Sequence, residues 1–149
     1  MSHEPLLQEM IRALRAEFGA RAMYRQLPRV CGDAALRDLL AQFAADEEEQ
    51  VRELRAVIAR LGGDPPRRSL RRWVLATVLA WGCAVIGVRP ALRLCEEAEG
   101  TAARWYARFE RALAALGEPA AAEALARLGV VKRRHERVLR TWVAHSGRR

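Results

Sequence analysis

Apolar residues recur at helical spacing along almost the whole chain, and clusters of turn residues interrupt the pattern at a few places. Apolar positions three, four and seven residues apart lie on one side of a helix. The pattern predicts four helical segments, covering about residues 4–27, 34–61, 89–116 and 120–144. Long helices joined by short turns are typical of a helical bundle. The sequence therefore predicts a single all-α domain over residues 1–149, built as a four-helix bundle.

The predicted helices pair as two hairpins. The first hairpin covers residues 4–61 and the second covers residues 89–144, with a connection at 62–72 between them. An apolar segment at 73–88 follows the connection and leads into the third helix of the bundle. We expect this segment to be the start of that third helix.

The apolar segment contains no charge over 16 residues, and two tryptophans, Trp73 and Trp81, lie within it. A membrane-spanning helix needs about 20 apolar residues, so the segment is too short to cross comfortably. Four arginines stand just before it: Arg67, Arg68, Arg71 and Arg72. This combination is typical of a segment that lies on an anionic membrane surface. The alternative is a wholly buried core helix.

Each predicted helix places charged or polar side chains within its apolar stripe. A buried charge is costly unless it is paired or binds a metal, so such residues deserve a chemical explanation. The residues expected to converge at the centre of the bundle are Glu17, Glu47, Glu99, Lys132 and His135, with Gln50 beside them.

The two halves of the chain repeat the same spacing. A tyrosine follows a glutamate by seven residues in the first and third helices, and two polar residues stand three apart in the second and fourth. The repeated pairs are Glu17 with Tyr24, Glu99 with Tyr106, Glu47 with Gln50, and Lys132 with His135. The repetition indicates a duplicated hairpin that faces its own copy.

This arrangement matches the dinuclear carboxylate plan of ferritin-like bundles, in which two helices supply one Glu each and two supply a Glu-x-x-His pair. Carboxylate and imidazole ligands suit iron or manganese.

Other interpretations stay open for several residues. Lys132 could extend to solvent from a neighbouring face, Gln50 could fill space, His135 could be a hydrogen-bonded core histidine, and the two tyrosines could be core aromatics.

Short motifs along residues 10–140 resemble one particular family. The run Ala-Glu-Phe-Gly-Ala at 16–20, followed by Tyr24, is similar to a Gly-Glu-Tyr-Gly-Ala motif and a later tyrosine. Phe43, Glu47 and Gln50 are similar to a second-helix pattern that ends in Glu-x-x-His. The apolar segment with Gly82 and Gly87, followed by Cys95, Glu99 and Tyr106, resembles a membrane-contacting third helix. The family that combines these motifs is the demethoxyubiquinone hydroxylases of ubiquinone biosynthesis.

The resemblance implies a di-iron monooxygenase attached to the membrane periphery, with a long-chain quinone-like substrate. It places Glu17, Glu47, Glu99 and His135 at ligand positions, and Tyr24 and Tyr106 behind them. Two positions depart from the family. Gln50 stands where the family has histidine, and Lys132 stands where it has the glutamate that bridges both metals.

Charge counting shows what these departures do to the centre. Two divalent ions carry +4, and the four glutamates of the family balance them. Three glutamates and one lysine supply only −2 with neutral His135, so two ions would leave an uncompensated charge in a low-dielectric site. We therefore expect a degenerate metal site with at most one iron or manganese ion per chain, or none.

Two functions follow from this centre. The first is an oxygen-dependent hydroxylase or oxidoreductase that acts on a quinone-like or apolar aromatic substrate, with Lys132 tuning the charge. The second is a non-catalytic, metal-free bundle that binds a prenylated lipid, a quinone or a protein partner, with Lys132 replacing the metal charge. A homodimer is compatible with both.

The charge and the cysteine content of the chain indicate which binding partners and which cellular compartment to expect. The net charge is +8, and 25 of the 26 basic residues are arginine. The arginines are spread over all helices and no DNA-binding motif is present, so we do not expect nucleic-acid binding; they suit an anionic membrane or solvated helix faces. Three cysteines without metal-type spacing favour a reducing compartment. Because the first residues lack a signal-peptide pattern, we expect a cytoplasmic protein at the inner face of the membrane.

Overall fold

The computed structural model describes residues 3–146, and these residues form α-helices without any strand. Five α-helices follow one another: α1 His3–Gln26, α2 Ala34–Arg60, α3 Leu70–Ile86, α4 Arg89–Ala115 and α5 Pro119–Ser146. A short 3₁₀ turn, Leu27–Arg29, extends α1. The prediction of an all-α helical bundle is confirmed.

Turn and cap residues set the helix ends. The Asp33 carboxylate caps α2 by accepting a hydrogen bond of 2.9 Å from the Leu36 backbone N–H. The chain leaves α2 through Gly62, whose φ of 85° belongs to the left-handed region that glycine adopts without strain. α1 packs on α2 and α4 packs on α5, and these two pairs correspond to the two predicted hairpins.

The apolar segment differs from the prediction, because it is a separate helix and not the start of the third bundle helix. Ser69 begins α3 by accepting a hydrogen bond from the Arg72 backbone N–H at 3.4 Å. Gly87 ends it with a φ of 90°, and Pro90 stands in the first turn of α4. A glycine with positive φ and extended ψ, followed shortly by a proline, turns the chain, so the helix does not continue from α3 into α4.

The core divides into two apolar clusters along the bundle. One cluster joins the first half of α1 to the second half of α2, the second half of α4 and the start of α5. The other cluster joins the remaining halves of these helices to the inner face of α3. The residues between the clusters form a polar layer at mid-length of the bundle. α4 packs mainly on α5, whereas α1 packs on both α2 and α3.

α3 lies on the outside of the bundle. It buries only three small side chains, Ala76, Ala80 and Cys83. Its large apolar side chains are exposed, together with Leu94 on α4; they are Leu70, Trp73, Val74, Leu75, Val78, Leu79, Trp81, Val85 and Ile86. The alternative of a wholly buried core helix is therefore wrong. Within residues 3–146, no helix has the combined length and hydrophobicity to cross a bilayer.

Candidate functional site

Six polar side chains form the central polar layer, and each is at most 3% exposed. α1 contributes one, α2 two, α4 one and α5 two: Glu17, Glu47, Gln50, Glu99, Lys132 and His135. Every one of them was predicted from its position in an apolar stripe. Their spacing puts them on the core side of their helices, and the contacts of Lys132 and His135 with the three glutamates show that they meet at one height along the bundle.

Lys132 lies at the point where the three glutamates meet. Its Nζ donates to Glu17 Oε2 at 2.5 Å and to the two carboxylate oxygens of Glu47 at 2.7 and 2.9 Å. Glu99 Oε2 lies 3.3 Å from the same nitrogen. With 1% of its surface exposed, Lys132 does not extend to solvent. One ammonium therefore contacts a carboxylate from each of three other helices.

The two tyrosines connect the hairpins in a reciprocal way. Tyr24 on α1 donates to Glu99 Oε1 on α4 at 2.6 Å. Tyr106 on α4 donates to Glu17 Oε1 on α1. Each tyrosine thus satisfies the glutamate of the opposite hairpin, which fits the repeated spacing in the two halves of the chain.

His135 is held between a surface carboxylate and the centre. Its Nε2 lies 2.9 Å from Asp46 Oδ2, and its Nδ1 lies 3.6 Å from an oxygen of both Glu47 and Glu99. The Phe43 ring stacks on the imidazole at a centroid distance of 3.8 Å. Asp46 is itself paired with Arg134 at 2.6 Å. This chain of charged groups extends from the polar layer to solvent on the α2 and α5 side.

Gln50 is buried beside this network without joining it. Neither its amide nitrogen nor its amide oxygen has a hydrogen-bond partner in the described structure. A buried primary amide with unpaired polar atoms is destabilising. This observation favours neither of the two roles left open for Gln50, a filler or a ligand.

The protonation states follow from burial and from the ion pairs. Burial lowers the pKa of Lys132, but the carboxylates of Glu17, Glu47 and Glu99 outweigh burial and raise it well above its usual value. Burial likewise acts against the cation of His135, yet the nearby carboxylates raise its pKa to about 9. Both bases therefore carry a positive charge at neutral pH.

The carboxylates respond in opposite directions. Burial raises the pKa of Glu47 well above its usual value and outweighs the attraction of Lys132. For Glu99, the effect of burial is smaller than the combined effect of Lys132 and His135, and its pKa falls to about 2. Three carboxylates and two cations leave one negative charge in excess, and the raised pKa makes Glu47 the carboxyl group at which a compensating proton is held most readily.

Two metal ions do not fit these residues. Lys132, at the position where the resemblance implies a bridging glutamate, carries an ammonium that already forms ion pairs with three carboxylates, and a divalent ion beside it would meet an uncompensated positive charge. A smaller donor set remains, because one ligand atom from each of Glu47, Glu99 and His135 lies within 4.8 Å of the others. This set suits a single ion, provided that Lys132 withdraws from the carboxylates.

An apolar groove reaches the polar layer from one side of the bundle. Two adjoining clefts of about 250 and 330 Å³ open between α1, α3 and α4. The lining that they share consists of Ala16, Ala20, Leu94 and Ala98 together with Arg72 and, at the inner end, Glu99. The first cleft also reaches Tyr24 and the second reaches Lys132. An apolar molecule in this groove would therefore have its inner end beside the ion-pair network.

The remaining predicted residues lie at the surface. Trp73 and Trp81 are about half exposed on α3, at 49% and 51%. The four arginines predicted to face a membrane are exposed around the start of α3; they are Arg67, Arg68, Arg71 and Arg72. Sequence reasoning missed Asp46, which stands in a run of four acidic residues that looks like a solvated surface.

Comparison with known proteins found no family model, no curated protein and no solved structure that matches this chain.

The substitution Lys132→Met tests whether the ammonium holds the centre together. It leaves three buried carboxylates without their shared partner, so we expect the free energy of unfolding to fall by about 3–5 kcal/mol at pH 7. Urea unfolding at pH 7 and pH 4 measures this, and the loss should be smaller at pH 4, where protonation relieves the repulsion.

Arg133→Met is the matched control for this variant, because Arg133 is exposed on the neighbouring position of α5. It should change stability by no more than about 0.5 kcal/mol. A Lys132→Met protein as stable as the control would contradict the central role of the ammonium.

The charge on His135 predicts a decline in stability above neutral pH. Its pKa is raised from 6.5 to about 9, so its contribution is complete below pH 6.5 and is lost as the pH rises through 9. We expect this loss to be on the order of 3 kcal/mol, measured by urea unfolding at a series of pH values.

The variant His135→Gln should remove the decline between pH 6.5 and 9. The variant His145→Gln, at an exposed position near the end of α5, should retain it. An equal slope in all three proteins would mean that His135 does not titrate in this range.

Proposed function

We propose that this protein is a metal-free, ferritin-like bundle that attaches to an anionic membrane surface and binds a quinone-like or prenylated molecule. The observation that carries the proposal is the position of Lys132, whose ammonium contacts all three central glutamates. In this proposal, Lys132 supplies the positive charge that metal ions supply in a ferritin-like bundle.

The ferritin-like relationship is supported by the layout of the polar layer. Four helices contribute to it in the order expected from two facing hairpins, and the tyrosine–glutamate bonds run reciprocally between the hairpins. The resemblance to the demethoxyubiquinone hydroxylases rests on the same residues. Gln50 and Lys132, the two departures from that family, both lie in this layer.

Membrane attachment is supported by the exposed face of α3. Its tryptophans and large aliphatic side chains form a continuous apolar surface, and arginines stand at its beginning. Such a surface is stabilised by insertion into the interface between headgroups and acyl chains, and basic residues add attraction to anionic lipids. We place the protein at the cytoplasmic face of the membrane in this proposal.

Ligand binding is supported by the groove between α1, α3 and α4. Its lining of alanines with Leu75, Leu79 and Leu94 suits a prenyl chain or an aromatic ring, and the buried Tyr24 hydroxyl and Lys132 ammonium belong to residues at its inner end. Both groups can donate to a quinone oxygen, although each is already bonded to a glutamate. The chain itself would contribute orientation, exclusion of water and a fixed positive charge beside the ligand.

A second candidate function is supported by one observation, the grouping of Glu47, Glu99 and His135 around a common point. These residues would hold one iron or manganese ion in an oxygen-dependent hydroxylase of the same apolar substrates. The ion would supply oxygen activation, and Lys132 would have to leave the carboxylates. The metal content of the purified protein separates the two candidates.

The apolar face of α3 predicts membrane binding that one substitution weakens. Val78→Glu places a charge in the middle of this face, so we expect binding to vesicles of phosphatidylcholine and phosphatidylglycerol to weaken by about tenfold or more. Vesicle co-sedimentation measures the change.

Val130→Glu on α5 is the matched control, because Val130 and Val78 are similarly exposed, at 58% and 63%, and both changes add one negative charge. Its vesicle binding should stay close to that of the unchanged protein. Equal weakening by both variants would contradict attachment through α3.

Gln50 and Lys132 stand where the dinuclear ligand set has histidine and glutamate, so restoring those two residues should restore metal binding. Lys132→Glu combined with Gln50→His restores four carboxylates and two histidines, so this variant should bind about two iron ions per chain. Elemental analysis after growth with added iron and manganese measures the content, and the unchanged protein should contain essentially none.

The control for metal binding is Arg133→Glu combined with Gln42→His. It also replaces a basic residue by glutamate and a glutamine by histidine, but at exposed positions. It should gain no metal. A folded Lys132→Glu, Gln50→His protein that stays without metal would contradict the ligand assignment. One ion per chain in the unchanged protein would favour the hydroxylase.

A further inference from the structure

A second cleft, of about 340 Å³, lies between α1 and the beginning of α3. It is separate from the groove that reaches the polar layer, because it shares none of that groove's lining residues. Half of its lining comes from α1 and half from the residues that begin α3: Phe18, Arg21, Ala22, Arg25, Arg68, Ser69, Leu70 and Trp73.

Three arginines make the cleft cationic. Arg21 extends over the Phe18 ring, with the guanidinium carbon 5.2 Å from the ring centroid, and pairs with Glu48 at 3.3 Å. Arg25 pairs with the same carboxylate. Within residues 3–146, Arg68 has no carboxylate at ion-pair distance. The three guanidinium groups and Glu48 leave a net charge of about +2 around the cleft.

The fold, and not the sequence run, brings these arginines together. Arg21 and Arg25 are separated by one helical turn, so both side chains lie on one face of α1. α3 packs along α1, and this packing places Arg68 at the same cleft. The sequence prediction of a basic membrane surface included Arg68 but neither arginine of α1.

The cleft is also continuous with the apolar face of α3. Leu70 and Trp73 line the cleft and are 72% and 49% exposed on that face. An anionic group in the cleft would therefore sit next to a surface that suits acyl chains. The first turn of α3 adds the favourable end of a helix dipole beside the arginines.

We propose that this cleft binds the phosphate group of an anionic phospholipid, with Arg21, Arg25 and Arg68 as its partners. The inference rests on the membrane attachment proposed above and adds the chemistry of the headgroup. A guanidinium matches a phosphate through two parallel hydrogen bonds, so arginines bind phosphate with a defined geometry. The neighbouring apolar face then determines that the phosphate belongs to a lipid and not to a soluble anion.

The test uses two kinds of phosphatidylcholine vesicle with equal surface potential. One contains phosphatidic acid, which adds a phosphate monoester, and the other contains oleic acid, which adds negative charge without phosphate. The readout is the affinity for phosphatidic acid vesicles divided by the affinity for oleic acid vesicles. General electrostatic attraction acts equally on both vesicles and leaves this ratio near one. We expect the unchanged protein to prefer phosphatidic acid by about tenfold.

The cleft variant is Arg25→Gln combined with Arg68→Gln, and its ratio should fall to about one. The matched control is Arg67→Gln combined with Arg71→Gln, which removes the same charge at exposed positions outside the cleft. The control should lose affinity for both vesicles by about fivefold per arginine while keeping the ratio. Arg21 is left in place, because its contact with Phe18 contributes to the packing of α1.

Four results would overturn the proposal. A ratio of one in the unchanged protein, or equal ratios in the two variants, means that the cleft does not recognise phosphate. Loss of the ratio when millimolar inorganic phosphate is added at constant ionic strength assigns the cleft to free phosphate. Binding to neither vesicle contradicts the membrane attachment itself, which distinguishes failure of the proposed function from failure of the cleft.

Discussion

The burial of one ammonium among three carboxylates is the constraint on which the rest of the structure depends. Lys132 contacts glutamates from α1, α2 and α4, so one side chain of α5 fixes all four helices of the bundle at the same height. The apolar clusters on either side exclude water, and the low dielectric strengthens both the attraction and the cost of losing a partner. A shift of one of these helices along the bundle would therefore leave a buried charge without its partner.

Most of this arrangement is readable in the sequence, since a charge within an apolar stripe indicates burial with a partner. Two features are not readable, for different reasons. α3 is separate from α4 because Gly87 has a positive φ, and the hydrophobic pattern does not report a backbone angle. Asp46 reaches His135 from the edge of the buried face of α2, whereas Glu48 and Glu49 of the same acidic run give the same sequence signal and pair with arginines at the surface.

The exposed face of α3, the cationic cleft and the apolar groove all lie where α3 meets α1. A surface that attaches to lipid there would also cover the opening of the groove, so a membrane-dissolved molecule could enter the bundle without crossing water. The charged path through His135 and Asp46 leaves the polar layer on the α2 and α5 side. In the proposed membrane-attached state, apolar molecules would therefore approach the centre from a different side of the bundle than the one on which this charged path lies.

The reciprocal bonds of Tyr24 to Glu99 and of Tyr106 to Glu17 have the form of an isologous contact, which two identical hairpins make across a twofold axis. In such a symmetric pair, every charged residue occurs twice, and charges at the centre come in even numbers. Three glutamates around one lysine are therefore impossible in a homodimer of hairpins. The odd count requires two hairpins of different sequence, and this chain supplies them in one polypeptide, where Gln50 and Lys132 could depart from the common pattern independently of each other.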